Sequence, residues 1–309
     1  MLKPRALTPG SRLAVVAPAS AFRRDEFDAG VEEIRRLGFE PVYDDSVFAK
    51  GSPVYLAGAA GARANALRAA FRDPSIAGIV AVRGGYGSAQ LLPLLDVEEA
   101  RRACKPFIGY SDLTAILGFL TIQCGVVAFH GPMIDQCLSR GEAKYDRRSF
   151  LHAVSRAEPL GELAPPGLEV ISRGDAGGML LGGTVTQLLA TMGTRFAFDP
   201  PNGFVLFFEE VGERPYRLDR MVTQLRQTGI LARASAIVIG ELNGCDEPGG
   251  SVTGRGVMAD VLSDFPGPIV AGFPSGHTTG PTYTLPLGVA CRVVADERPR
   301  LVIEEAAVA

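Results

Sequence analysis

Tryptophan is absent from the 309 residues, and histidine occurs only three times, at His130, His152 and His277. Three imidazoles so far apart in sequence do not suggest a metal cluster, so no metal or other cofactor is expected. The five cysteines, Cys104, Cys124, Cys137, Cys245 and Cys291, form no C-x-x-C pair and are odd in number. That argues against a disulfide framework or a zinc site and for a reducing cytoplasm. No charge excess exists: 31 Lys and Arg face 34 Asp and Glu, a net charge of -3. A nucleic-acid partner would need a basic field that is missing here. No apolar run reaches the length of a membrane span. The nearest imitation of a targeting segment is Leu13–Ala21 behind Lys3, Arg5 and Arg12, but Pro18 interrupts it and it reads better as a buried first strand.

Hydrophobic residues make up 47% and charged residues 21%, and a chain of this length suggests about two domains. The first half alternates strand and helix. Strands are expected at Leu13–Pro18, Phe39–Tyr43, Ile79–Val82 and Pro106–Tyr110. Helices are expected around Phe27–Leu37 with Gly38 as terminator, over Ala62–Phe71, and from Leu113 to Leu120. Ser88 is expected to cap a further helix. This alternation predicts an α/β fold, a parallel α/β sandwich of the flavodoxin or Rossmann type over residues 1–150. The stretch 151–172 reads as a linker. Residues 173–309 read as a smaller β-rich α+β domain, with strands at Phe204–Glu209 and Ala236–Gly240 and a helix over Tyr216–Thr228.

Ser111 stands where a buried strand becomes a helix, in Gly109-Tyr110-Ser111-Asp112. Such a position exposes a side chain at the carboxyl end of a sheet, beside the N–H groups of a helix start. A simple helix cap explains the residue at least as well. The loop Arg83-Gly84-Gly85-Tyr86-Gly87 also follows a buried strand. It could cradle a phosphate, donate to an oxyanion or be only a tight turn. A nucleophilic serine needs a base and a group that orients it. His277 lies in an accessible Gly/Pro loop, whereas His130 reads as structural at a strand end and His152 as solvent-facing. Glu209 and Glu210 end an apolar strand and face opposite ways. Periodicity does not decide between them, and a solvated acid pair is the simple reading.

Taken together, several ordered motifs resemble those of the L,D-carboxypeptidases, serine peptidase family S66. The group includes muramoyltetrapeptide carboxypeptidase and the microcin C7 self-immunity peptidase. The motifs are Ala70–Pro74, Arg83–Gly87, Gly109–Asp112, His130–Met133, Glu209–Val211, Pro215–Arg220, Gly276-His277 and Leu285–Gly288. The resemblance implies a triad of Ser111, His277 and Glu209, with main-chain N–H groups of Gly85 and Asp112 as oxyanion hole. It implies release of terminal D-Ala from murein tetrapeptide in peptidoglycan recycling, and a homodimer. Arg83, Gly84 and Tyr86 are candidate contacts to the peptide substrate, though Arg83 could equally be a structural partner. Two departures stand out. Gly182-Gly183-Thr184 replaces the common Gly-Gly-Asn, and without Trp the chain cannot stack a nucleotide on an indole, which favours the peptidoglycan branch. The alternatives are a related amidase acting on aminoacyl-nucleotide or peptide-antibiotic conjugates, and a non-catalytic two-domain protein that closes on a small ligand.

Overall fold

The computed structural model describes residues 1–51 and 53–309. Strands β1 (Arg12–Val16), β2 (Glu40–Val42), β3 (Gly78–Ala81), β4 (Phe107–Gly109) and β5 (Ala128–His130) pair in parallel in the order β2-β1-β3-β4-β5. That is the flavodoxin-type order, whose switch point lies between the carboxyl ends of β1 and β3. β3, β4 and β5 are buried along their whole length, as apolar strands covered on both faces must be. Helix α1 (Arg24–Arg36) buries Phe27, Val31 and Ile34, and Gly38 follows at φ +92°. Asp25 and Glu26 open that helix and Arg35 and Arg36 close it, each matched to the local end of the helix dipole. Helices α2 (Ala60–Arg72), α3 (Val97–Ala103), α4 (Thr114–Gly118) and α5 (Arg147–Ser155) complete this lobe.

The remaining strands are β6 (Gly161–Leu163), β7 (Glu169–Ser172), β8 (Gly174–Thr184), β9 (Phe204–Val211), β10 (Ala234–Asn243), β11 (Ile269–Phe273), β12 (Leu285–Leu287), β13 (Ala290–Ala295) and β14 (Arg300–Ile303). All but β12 form one eight-stranded sheet in the order β6-β14-β13-β8-β9-β10-β11-β7. Its centre, β8 to β11, is parallel. The crossovers are α6 (Val185–Ala190), α7 (Pro215–Gln227), α8 (Ile230–Arg233) and α9 (Gly254–Val261).

Three expectations need correction. Residues 151–172 are not a linker: they hold the end of α5 and both edge strands of the second sheet, β6 on β14 and β7 on β11. β12 leaves the second half altogether and pairs antiparallel with β5, completing the first sheet at its edge. Ser88 does not cap a helix; its hydroxyl donates to the carbonyl of Asp112, and the turn that begins there is 3-10.

The face alternation of β9 organises the molecule. Val205 and Phe207 belong to a core continuous with the first lobe. Leu206 and Phe208 face the other way, into a second core with Leu218, Met221 and Leu225 of α7.

Candidate active site

The switch point is held together from below by a buried guanidinium. Arg63 of α2 donates to the carbonyls of Pro18 (2.6 Å), Gly58 (3.1 Å) and Gly87 (2.9 Å). These belong to three separate loops, and three carbonyl partners satisfy a charge that burial would otherwise disfavour. Above Arg63, Ser20 receives the backbone N–H of Tyr86 on its hydroxyl (3.0 Å), and its own N–H donates to Gly84 (3.1 Å). Gly85 has φ +88°, and a Cβ there would strike the Ser20 side chain.

Ser111 follows β4 at φ +64°, a left-handed conformation uncommon for a residue with a Cβ. Strain of that kind turns the side chain out of the strand–helix junction. Gly84 lies against it: a Cβ on Gly84 would be 2.8 Å from Ser111 Cβ, 3.1 Å from its Oγ and 3.2 Å from the Asp112 nitrogen. Ser111 therefore shares one small space with the N–H of Asp112 and the Gly84 backbone. Ser111 is the first residue of a 3-10 turn whose cap position is Tyr110, and the α-helix that follows is capped at Leu113, so the cap reading does not hold. The Asp112 carboxylate points away and accepts the Ser88 N–H at 2.7 Å.

Glu209 continues the Val205–Phe207 face of β9 towards the first lobe and is fully buried. Its Oε2 accepts from His277 Nδ1 at 2.8 Å and from the His277 backbone N–H at 3.1 Å. Its Oε1 accepts the Thr184 hydroxyl. Gly276 (φ +96°) permits this approach, since a Cβ there would lie 2.6 Å from the Glu209 carboxyl carbon. Burial pushes the Glu209 carboxyl up, but the His277 hydrogen bond and charge outweigh it and hold the carboxyl below its ordinary range. Burial likewise pulls His277 down, and the bond to Glu209 with the charges of Glu209 and Glu210 raises it above its ordinary value. The His277 ring meets the Tyr110 ring edge-on at 5.1 Å between centroids, one residue before Ser111. Thus the imidazole from the second half lies beside the strand–helix turn of the first. Among the described residues no hydrogen bond joins Ser111 to His277; the two are neighbours through Tyr110.

Glu210 is neither solvated nor part of this cluster. It is buried on the opposite face, accepting from the N–H (3.0 Å) and hydroxyl (2.6 Å) of Thr186. The solvated-pair reading fails for both acids. His130 donates or accepts through Nδ1 with Ser275 Oγ at 2.9 Å at the end of β5, and burial lowers it to about 4. His152 is half-buried, with 18% of its side chain exposed, rather than solvent-facing. Arg83 pairs with the buried Asp135 at 3.0 Å, which answers the structural reading while leaving the side chain 36% exposed. Tyr86 is half-exposed and meets Tyr55 edge-on at 5.9 Å.

Sequence reasoning missed Thr114, Tyr110 and Ser275 as neighbours of the cluster. Thr114 was within reach of a helical reading, three positions after Ser111. Tyr110 lay inside the quoted Gly109–Asp112 motif without a role, and Ser275 carried no local signal, because their partners His277 and His130 lie far along the chain.

No group of three or more His, Cys, Asp or Glu suited to a metal occurs among the described residues, and none of their helices is long and apolar enough to cross a membrane. The sequence profile of the LD-carboxypeptidase N-terminal domain matches residues 13–131, and that of the C-terminal domain matches residues 177–293. A Streptomyces coelicolor protein provisionally named a carboxypeptidase is 35% identical over 301 residues, 96% of this chain and 94% of its own. The murein tetrapeptide carboxypeptidase of Pseudomonas aeruginosa is 31% identical over 277 residues, covering 86% of this chain and 88% of its own. Among solved structures, the microcin C7 self-immunity protein MccF in complex with aspartyl sulfamoyl adenosine superposes with a TM-score of 0.92 over 100% of both chains at 24% identity. That likeness shows the shared two-domain fold.

Proposed function

The chain belongs to the LD-carboxypeptidase family, and on that premise we propose that it is a serine L,D-carboxypeptidase releasing terminal D-Ala from murein tetrapeptide. The observation that carries the reading is the His277–Glu209 pair, whose imidazole meets the ring of Tyr110, the residue before Ser111. An ionised, buried Glu209 only accepts, so it fixes the proton of His277 on Nδ1 and leaves the Nε2 lone pair free. In the proposed reaction Ser111 Oγ attacks the carbonyl of the terminal bond while its proton passes to His277 Nε2. The oxyanion takes hydrogen bonds from the N–H groups of Gly85 and Asp112. Collapse breaks the C–N bond, and His277 returns the proton to the leaving amine of D-Ala. Water then attacks the acyl ester, giving its proton to His277, and Ser111 is released as the hydroxyl. Arg83, Gly84 and Tyr86 are the proposed peptide contacts. The half-exposed Arg83 guanidinium suits the terminal carboxylate.

Incubation with murein tri-, tetra- and pentapeptides, with products identified by mass, tests this directly. D-Ala from the tetrapeptide is expected, and Ser111→Ala or His277→Ala is expected to lose at least about 100-fold in turnover. Wild-type turnover in either variant removes the triad. The 0.92 superposition on MccF favours one second reading, an amidase of aminoacyl-nucleotide conjugates. Faster hydrolysis of an acyl-sulfamoyl adenylate than of the tetrapeptide would select it. Binding without turnover of either would select the non-catalytic alternative. The proposal includes a cytoplasmic homodimer, checked by cell fractionation and sedimentation.

A further inference from the structure

β8 ends in Gly182-Gly183-Thr184, and this turn makes a close approach between the two lobes. Gly183 sits at φ +148°, and a Cβ on it would lie 2.6 Å from Thr114 Oγ1. Only a residue without a side chain lets β8 come this near to α4, the helix that follows Ser111. The contact is polar and buried. The Thr184 N–H donates to Thr114 Oγ1 at 3.1 Å, and the Thr184 hydroxyl donates to Glu209 Oε1. Thr114 and Thr184 are 1% and 4% exposed. A continuous line of hydrogen bonds thus runs from Thr114 through Thr184 and Glu209 to His277. One end stands three residues after Ser111 in the chain, and the other meets the ring of Tyr110, the residue before it.

We propose that Thr184 is a positioning residue whose hydroxyl tunes Glu209 for catalysis and whose backbone ties Glu209 to the helix of Ser111. This deepens the serine peptidase reading and rests on it. Glu209 has two oxygens. Oε2 is committed to His277, so the charge on Oε1 must be satisfied by another donor, because a buried carboxylate oxygen without one is costly. Thr184 supplies that donor. By sharing the carboxylate charge, its hydroxyl also moderates the pull of Glu209 on the His277 proton. The ionisable groups that face this pair are His130 from β5, Tyr110 from the turn after β4, and Glu210 from β9 itself. Among the described residues none of these three makes a hydrogen bond to Glu209.

The test compares Thr184→Val, which keeps the shape and loses the hydroxyl, with Thr184→Ser, which keeps the hydroxyl. Thr184→Val is expected to lose about 10- to 100-fold in kcat, the scale of one hydrogen bond to a buried charge, with KM within twofold. The acid limb of its kcat/KM profile is expected to move to higher pH, because Glu209 then concentrates its charge on His277. Thr184→Ser is expected to keep wild-type activity and profile. His277 titration by NMR, resolved from the two other histidines, is expected to show the same upward shift whether or not the protein turns over tetrapeptide. An unaltered His277 titration in Thr184→Val, a shift to lower pH, or a Thr184→Ser variant as impaired as Thr184→Val would overturn the proposal. If Thr184→Val does not fold, Thr184→Ala against Thr184→Ser asks the same question. Failure of the peptidase reading is distinguishable, since it shows as absent or Ser111-independent turnover in the wild type while the NMR shift persists.

Discussion

Gly84→Ala confronts the proposed chemistry with a single methyl. Gly84 does not have a positive φ, so alanine adopts its backbone without conformational strain. The added carbon falls 2.8 Å from Ser111 Cβ, 3.1 Å from Oγ and 3.2 Å from the Asp112 nitrogen. Carbon atoms prefer about 3.5–4.0 Å, so one partner must retreat by about 1 Å. Ser111 Cβ is rooted in the backbone of a left-handed turn and yields poorly. Overpacking of this kind costs about 1–3 kcal/mol, a fall in melting temperature of several degrees. The catalytic loss should be far larger. A misplacement of about 1 Å costs about 100-fold, and an obstructed oxyanion donor costs about 100- to 1,000-fold, though the two overlap. D-Ala release by mass is therefore expected to fall at least about 100-fold, while circular dichroism shows a folded protein. Gly61→Ala serves as control, because nothing lies within 4 Å of its added carbon. It should leave activity unaltered and add about 0.5–1 kcal/mol of stability. A folded Gly84→Ala with near wild-type turnover would show that the carbonyl is not attacked in the space between Gly84, Ser111 and Asp112.

Three further outcomes are expected. In the wild type the acid limb of kcat/KM lies above pH 6.5, because Glu209 raises His277; Glu209→Gln removes the charge and leaves the burial, so the limb moves below that of the wild type and kcat falls by up to about 10⁴-fold. His130, lowered to about 4 by burial, stays neutral in the fold while the unfolded chain binds a proton below about pH 6.5, so stability falls as pH drops from about 6.5 to about 4, by about 3 kcal/mol; urea midpoints of wild type and His130→Phe across that range measure it, and an NMR midpoint for His130 near 6.5 would contradict it. Arg63→Met strips the donor from three buried carbonyls and is expected to cost more than about 2 kcal/mol and to lower kcat through the loosened 83–87 loop.

The parallel strands of the first lobe were legible because their burial on both faces writes itself as short, wholly apolar runs such as Ile79–Val82. Helices α1, α2, α4 and α7 were legible from apolar spacing, while the cap readings at Ser88 and Ser111 failed and α3, α5, α6, α8 and α9 gave no reading. Residues 161–172 were not legible, because β6 and β7 are short edge strands, half-buried and polar, whose partners β14 and β11 lie far along the chain. The parallel centre of the second sheet was masked by the glycines of β8, which carry close approach in place of apolar pattern. At the site, alternation correctly separated Glu209 from Glu210, but only the packing of β9 tells which face meets the first lobe. The Gly182-Gly183-Thr184 departure marked Thr184 in the sequence, but its partners could not be read, because the contacts to Thr114 and Glu209 span 70 and 25 residues.

β12 gives the fold an order of assembly. The strand that finishes the first sheet is made of residues 285–287 and lies against β5, at residues 128–130. The chain's last residue then exchanges backbone hydrogen bonds with Pro4 and Ala6. While the ribosome is still working, the lobe bearing Ser111 has a bare strand edge. It waits through the synthesis of almost the entire second half, about 10–30 seconds at about 5–20 residues per second. A chain truncated before Leu285 would leave the first sheet without its outer strand on β5.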